Sequence, residues 1–167
     1  MLLDLSKIID MPGASCDFSV SLDLRDLQFG SCAPLQTPVT CSGTVRNTAG
    51  VLMATGEIHA HLNAICDRCA SEYEEDVRYP LDVVLTTELA DENHEDERIF
   101  SLEGNKADLD DLVRTVFILN MDTKFLCKDD CLGLCCGCGV NLNHGKCTCK
   151  KEIDPRFAAL QQLLNKD

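Results

Sequence analysis

Between Cys127 and Cys149 the chain reads Cys-Lys-Asp-Asp-Cys-Leu-Gly-Leu-Cys-Cys-Gly-Cys-Gly-Val-Asn-Leu-Asn-His-Gly-Lys-Cys-Thr-Cys. Seven of the twelve cysteines lie here, separated by glycines and polar residues. Such a segment has too little apolar surface to order itself by burial. It needs a cross-link, either a metal or disulfides. Which of the two applies depends on the compartment. Met1-Leu2-Leu3 is followed at once by Asp4, with neither a basic region nor an apolar run of signal-peptide length. The expectation is therefore a cytoplasmic chain with no membrane span, where thiols stay reduced and dense cysteines favour metal ligation.

The ligand spacing follows from zinc chemistry. Zinc takes four ligands at tetrahedral corners, and two cysteines separated by two residues can curl round one ion. Cys135 and Cys138 have that gap, with Gly137 and Gly139 easing the tight backbone path. Cys147 and Cys149 offer the second pair, provided the chain turns there, because a one-residue gap on a strand points side chains apart. The first expected site is Cys135, Cys138, Cys147 and Cys149. Cys66 and Cys69, again two apart, would form a second site with Cys127 and Cys131 and pin a hairpin to the start of the cysteine-rich stretch; Cys127, Cys131 and Cys135, spaced four apart, would instead share a site if that segment were helical. One or two zinc ions are expected. Cys136 and His144 remain alternative ligands. Cys16, Cys32 and Cys41 are isolated and read as small buried hydrophobes. His59 and His61 share the polar face of a strand and read as surface residues.

The rest of the chain reads as one β-rich domain. Phe18, Val20, Leu22 and Leu24 alternate with Asp17, Ser19, Ser21 and Asp23, which predicts a half-buried strand. A second strand spans 39–46, with a turn at Asn47-Thr48-Ala49-Gly50. A third, 51–66, alternates Ile58, Ala60, Leu62 and Ala64 against Glu57, His59, His61 and Asn63, and Gly56 suggests a bulge. A fourth carries Val77, Tyr79, Leu81, Val83 and Leu85, and Pro80 within it points to an edge or a locally unpaired position. Residues 2–9 read as a strand or one or two helical turns, and Ile99–Leu102 as a short strand. Leu109, Leu112, Val113, Val116 and Phe117 fall on one helical stripe behind an Asp108 N-cap. Asp154-Pro155 announces a terminal helix. The expected fold is α+β: an antiparallel sheet or small β-barrel with a covering helix (residues 1–124, helix about 108–119), then a cysteine-rich zinc-knuckle module with a terminal helix (125–167).

Charge narrows the partners. The net charge is −13, which disfavours phosphate backbones and favours basic proteins. Glu88, Asp91, Glu92, Glu95, Asp96 and Glu97 form an acidic run that reads as a solvated loop or, more sharply, as a docking surface for a basic partner. Lys128, Lys146, Lys150 and Lys151 make the knuckle locally less acidic, which keeps direct RNA contact open. No aromatic stacking platform accompanies them. The sequence holds no Gly-rich phosphate loop, no Gly-x-Ser-x-Gly and no His-Glu-x-x-His, so no enzyme and no small-molecule substrate is expected. A redox dithiol would sit where a strand meets a helix N-terminus. Cys66-Asp67-Arg68-Cys69 lies between two strands instead, so thiol redox or metal response is the alternative rather than the main reading.

The pattern Cys66-x-Arg68-Cys69, Asp108-Leu109, Cys127-x3-Cys131-x-Gly133-Leu134-Cys135-x2-Cys138-Gly139-x-Asn141-Leu142-Asn143, Cys147-x-Cys149 and Asp154-Pro155-Arg156 resembles the YceD family. Cys136 and Asp122 stand where that family commonly has proline, and neither position is a presumed ligand. The resemblance implies a non-enzymatic role in ribosome biogenesis, namely accumulation of the large-subunit (23S) ribosomal RNA. It makes a basic ribosomal protein or the pre-ribosomal large subunit the expected partner.

Overall fold

The structure is a computed structural model and describes residues 1–29, 32–86 and 98–149. The acidic run at Glu88, Asp91, Glu92, Glu95, Asp96 and Glu97, Lys150, Lys151 and the expected terminal helix lie outside these residues. The chain divides into two compact units, Met1–Ile65 with Glu72–Phe125, and Cys66–Ser71 with Leu126–Asp167. The second unit therefore takes in a loop that a linear division at residue 124 leaves in the first.

The first unit is built on strands β1 (Leu2–Asp4), β2 (Ser15–Leu22), β3 (Val39–Thr48), β4 (Val51–Ile65), β5 (Glu72–Thr86), β6 (Ile99–Ser101) and β7 (Lys106–Asp108), followed by helix α1 (Leu109–Asn120). Five strands form an open sheet in the order β2-β3-β4-β5-β6, and β1 pairs with β7 in a two-stranded sheet. The sheet does not close, so the barrel alternative gives way to the open form. It is also mixed: β2 to β5 run antiparallel, whereas β6 lies parallel to Val84–Thr86 of β5.

Alternation along the strands sends one residue row after another to the same face. Val20, Cys41, Ile58 and Tyr79 are cross-strand neighbours, as are Cys16, Val45, Ala54 and Val83. Between these rows lies Phe18–Gly43–Gly56–Leu81, in continuous register. Gly56 is therefore not a bulge. A Cβ on Gly56 would strike the Ser42 carbonyl and the Gly43 Cα, and one on Gly43 would meet the Phe18 ring at 2.9 Å. The paired glycines leave a gap in the sheet surface that Phe18 occupies, a packing role rather than a backbone one.

Helix α1 begins where Asp108 accepts a hydrogen bond from the Asp110 amide at 3.0 Å. Asp110 and Asp111 suit the positive end of its dipole. Its buried stripe is Leu109, Leu112, Val113, Val116 and Phe117, and the Phe117 ring meets Tyr79 edge-on at 5.8 Å. Burying each of these side chains contributes about 1.5–3 kcal/mol.

The turn after β3 is tighter than the sequence pattern suggests. Only Ala49 and Gly50 form it, at φ 54 and 92, the two positive φ values of a two-residue hairpin. Asn47 is instead a strand residue, 1% exposed. Its Nδ2 donates to the Ile8 and Ile9 carbonyls at 2.8 and 2.7 Å, and its Oδ1 accepts from the Gly50 amide at 2.9 Å. It thus holds the turn after β1 against the hairpin. Pro80, expected at an edge or unpaired position, lies in the part of β5 that pairs with β4 alone among the described residues. No described helix is long and apolar enough to cross a membrane.

Candidate metal centres

All eight expected ligands belong to the second unit, and their sulfurs form two clusters. Cys66, Cys69, Cys127 and Cys131 make one, and Cys135, Cys138, Cys147 and Cys149 the other. Within each cluster the ligand atoms lie within 4.8 Å of one another.

Two short turns of the same design present the Cys-x-x-Cys pairs. In the loop joining β4 to β5, the Cys66 amide donates to the Ser71 carbonyl at 2.9 Å and the Ala70 amide to the Cys66 carbonyl at 2.8 Å. In the later stretch, the Cys135 amide donates to the Val140 carbonyl at 2.9 Å and the Gly139 amide to the Cys135 carbonyl at 2.8 Å. In both, the residue after the second cysteine has positive φ, 55 at Ala70 and 73 at Gly139. This reversal curls the backbone so that both thiols face one point, with nearby amides aimed at sulfur. The Gly137 amide reaches Cys135 Sγ at 3.4 Å, and the Cys149 amide reaches Cys147 Sγ at 3.1 Å. That last bond marks the turn which a one-residue gap requires if Cys147 and Cys149 are to share a centre.

The spacing fits a tetrahedral ion. Zinc–sulfur bonds of about 2.3 Å place tetrahedral sulfurs about 3.8 Å apart. In the first cluster Cys66 and Cys131 are 3.8 Å apart and Cys69 and Cys127 3.7 Å. The second is tighter, with Cys147 3.1 Å from Cys135 and 3.5 Å from Cys138. A bound ion would spread its closest pair by about 0.7 Å. All twelve cysteines are free thiols, and a disulfide would need sulfurs about 2.05 Å apart. The clusters could therefore hold metal. The donors are all soft sulfur, which suits a closed structural site.

The electrostatics point the same way. Burial raises the Cys66 thiol, but backbone amides of Cys127, Cys69 and Arg68 outweigh it and bring it down to about 6. Cys69 is lowered by the Ser71 hydroxyl and amide. Cys127 is pushed up to about 12 by burial and by its neighbouring thiols. In the second cluster Cys135 is drawn down to about 6 by Cys147 and by the Gly137 and Cys138 amides. Cys149 is pushed up to about 12 by Cys147 and Cys138. In each cluster some thiols are primed to ionise and others held back, because negative charges this close repel. A divalent cation removes that conflict.

A frame of polar contacts surrounds the sulfurs, made by side chains that the cysteine spacing alone does not single out. The Arg68 guanidinium donates to the Asp129 and Cys131 carbonyls at 3.1 and 3.2 Å, and its own carbonyl accepts from the Leu134 amide at 3.0 Å. Asn143 Nδ2 donates to Cys131 Sγ at 3.3 Å, and Asn141 Nδ2 to Ser71 Oγ at 3.1 Å. Two asparagines enclosed between ligand pairs were the available signal, yet their targets are distant in sequence.

The remaining candidates lie elsewhere. Neither cluster includes Cys136 or His144. Cys136 is exposed, Cys16 and Cys32 are half-buried, and Cys41 is buried, its thiol pushed up to about 11 by burial. His59 contacts Glu57 at 2.7 Å and His61 contacts Asp76 at 2.7 Å on the polar sheet face. Lys128 lies 3.5 Å from Asp130, and Lys146 is exposed.

Comparison with known proteins adds the identity of the pattern. Residues 54–164 match the family described as large ribosomal RNA subunit accumulation protein YceD. A Mycobacterium tuberculosis protein described as uncharacterized is 26% identical over 178 residues, spanning 98% of this chain and 81% of its own length. An uncharacterized Mycobacterium bovis protein matches to the same extent. The Arabidopsis thaliana protein named large ribosomal RNA subunit accumulation protein YCED homolog 1, chloroplastic, is 24% identical over 173 residues, covering 86% of this chain and 52% of that protein. No solved structure matches significantly.

Proposed function

The chain belongs to the YceD family, and on that premise we propose that it is a non-enzymatic factor supporting accumulation of large-subunit (23S) ribosomal RNA. In this reading each cysteine cluster holds one structural zinc ion. The family match carries the ribosomal part. The two four-sulfur clusters, at spacings close to tetrahedral, carry the metal part. Zinc would neutralise the thiolates and cross-link a segment with few apolar side chains, and all four positions of each cluster are protein ligands, so none is left open for substrate. Cys66 and Cys69 would fasten the β4–β5 loop to Cys127 and Cys131, and Cys135, Cys138, Cys147 and Cys149 would close the following loop.

The partner is a basic ribosomal protein or a pre-ribosomal surface rich in one, engaged in the cytoplasm. The net charge of −13 supports this, as does the acidic composition of the run from Glu88 to Glu97. Depleting the protein in its native cell and measuring the ratio of large- to small-subunit RNA tests the function. The ratio is expected to fall, and to recover with the wild-type chain but not with one carrying Cys135→Ser and Cys138→Ser. An unchanged ratio would sink the proposal. Pull-down at low and high salt tests the partner: a basic ribosomal protein retained at low salt and released at high salt supports it. Recovery of protein-free RNA alone would count against it.

A further inference from the structure

The loop that closes the second cluster also reaches the first. It runs from Gly139 to Lys146 between Cys138 and Cys147, and both its asparagines are turned towards the other sulfurs. Asn143 Nδ2 donates to Cys131 Sγ at 3.3 Å and to Asn141 Oδ1 at 2.8 Å, while Asn143 Oδ1 accepts from the Leu132 amide at 2.9 Å. These contacts fix which way the amide faces. Reversed, its oxygen would meet a sulfur and another oxygen, and its nitrogen would face an N–H. Asn141 is fixed likewise: its Oδ1 accepts from the Asn143 backbone and side chain, so its Nδ2 faces Ser71 Oγ at 3.1 Å. The Ser71 hydroxyl and amide draw the neighbouring Cys69 thiol down. The loop thus reaches the first cluster twice: Asn143 bonds the Cys131 sulfur directly, and Asn141 holds Ser71, two residues from Cys69.

We infer that the two centres are coupled, with Asn143 and Asn141 as positioning residues through which an ion at Cys135, Cys138, Cys147 and Cys149 strengthens binding of an ion at Cys66, Cys69, Cys127 and Cys131. This rests on reading both clusters as metal sites. The physical basis is loop closure. Gly139 and Gly145 loosen the backbone and Val140 is 37% exposed, so the loop holds little apolar surface and relies on its closing ligands for order. Once the loop is ordered, the Asn143 N–H is already aimed at Cys131, and the first ion no longer bears that ordering entropy. Reciprocity requires the first ion to strengthen the second by the same factor.

Cobalt(II) is a suitable probe, because tetrahedral thiolate sites give ligand-field and sulfur-to-metal bands. Competition titration on the full chain is expected to show two ions. With Cys147→Ser and Cys149→Ser, the first cluster should bind cobalt about ten-fold or more weakly. Asn143→Ala alone should weaken it comparably, and the combined variant should lose little more than either change alone. Asn143→Ala should also shift the first cluster's charge-transfer band to lower energy, since a thiolate without its hydrogen bond gives up electrons more readily. In a chain carrying Cys66→Ser and Cys69→Ser, Asn143→Ala should leave the second cluster's affinity unchanged, showing that the loop still closes. Two ions bound independently, or Asn143→Ala without effect on affinity and band, would overturn the coupling and leave the metal sites standing. No cobalt at either cluster would overturn the coupling and the metal reading together.

Discussion

The twin turns at Cys66–Ala70 and Cys135–Gly139 share a backbone path but place different residues at the left-handed position, which allows opposite tests of one idea. At Gly139, φ is 73, and a Cβ there would meet nothing within 4 Å. Gly139→Ala therefore adds conformational strain without a clash. A non-glycine residue in this region costs about 1–2 kcal/mol, offset by about 0.4–1 kcal/mol from the stiffer unfolded chain. The net loss is about 1 kcal/mol. Folding of the turn and metal binding are one equilibrium, so the loss should appear as about a five-fold weaker second site. Ala70, at φ 55 and exposed, should show the reverse: Ala70→Gly should tighten the first site by up to about five-fold. Each is read by cobalt competition in a chain whose other cluster carries two Cys→Ser changes. Weaker binding from Ala70→Gly, or tighter binding from Gly139→Ala, would refute the turn geometry as the support of the sites.

Four further outcomes follow from the structure. Asn47→Ala strips hydrogen bonds from the Ile8 and Ile9 carbonyls and the Gly50 amide. It should cost about 3 kcal/mol, a fall in Tm of about 10 °C by calorimetry, and a loss under about 1 kcal/mol would contradict the clamp. In metal-loaded protein, alkylation at pH 8 followed by peptide mapping should label exposed Cys136 early and buried Cys41 late. Because burial raises the Cys41 thiol to about 11, its folded form binds a proton more tightly than the unfolded chain. That stabilisation is complete below pH about 9 and declines as pH rises towards 11, by at most about 2–3 kcal/mol relative to Cys41→Ala. Chelation should remove amide-exchange protection from residues 66–71 and 126–149 while β2–β5 keep theirs, since the sheet has its own apolar core. Loss of both together would contradict this.

Local pattern made much of the fold legible. The alternation of Ile58, Ala60, Leu62 and Ala64 and the stripe from Leu109 to Phe117 depend on the period of one element, and the structure buries these residues. What escaped depends on partners far along the chain. Asn47 carries a turn-former's side chain, but its contacts are 38 and 39 residues away. Gly56 looks like a break until Gly43 and Phe18 are known to lie beside it. Strand β7 is three residues long, too short for alternation to show, and owes its existence to β1. The parallel pairing of β6 has no local signature either. At the site, the two-residue cysteine gaps were readable because chelation is local chemistry. The sulfur contacts between Cys69 and Cys127, 58 residues apart, and between Cys66 and Cys131, 65 apart, are tertiary facts. So are the directions of the Asn141 and Asn143 amides.

Metal stoichiometry tests the central claim most directly. Elemental analysis and native mass spectrometry of the full chain, purified without added metal under reducing conditions, should find two zinc ions per chain. At a given charge state the mass should exceed that of the metal-free chain by two zinc ions less the four protons that balance their charge. Protein that is folded yet carries no zinc, with all twelve cysteines rapidly reactive, would contradict the account.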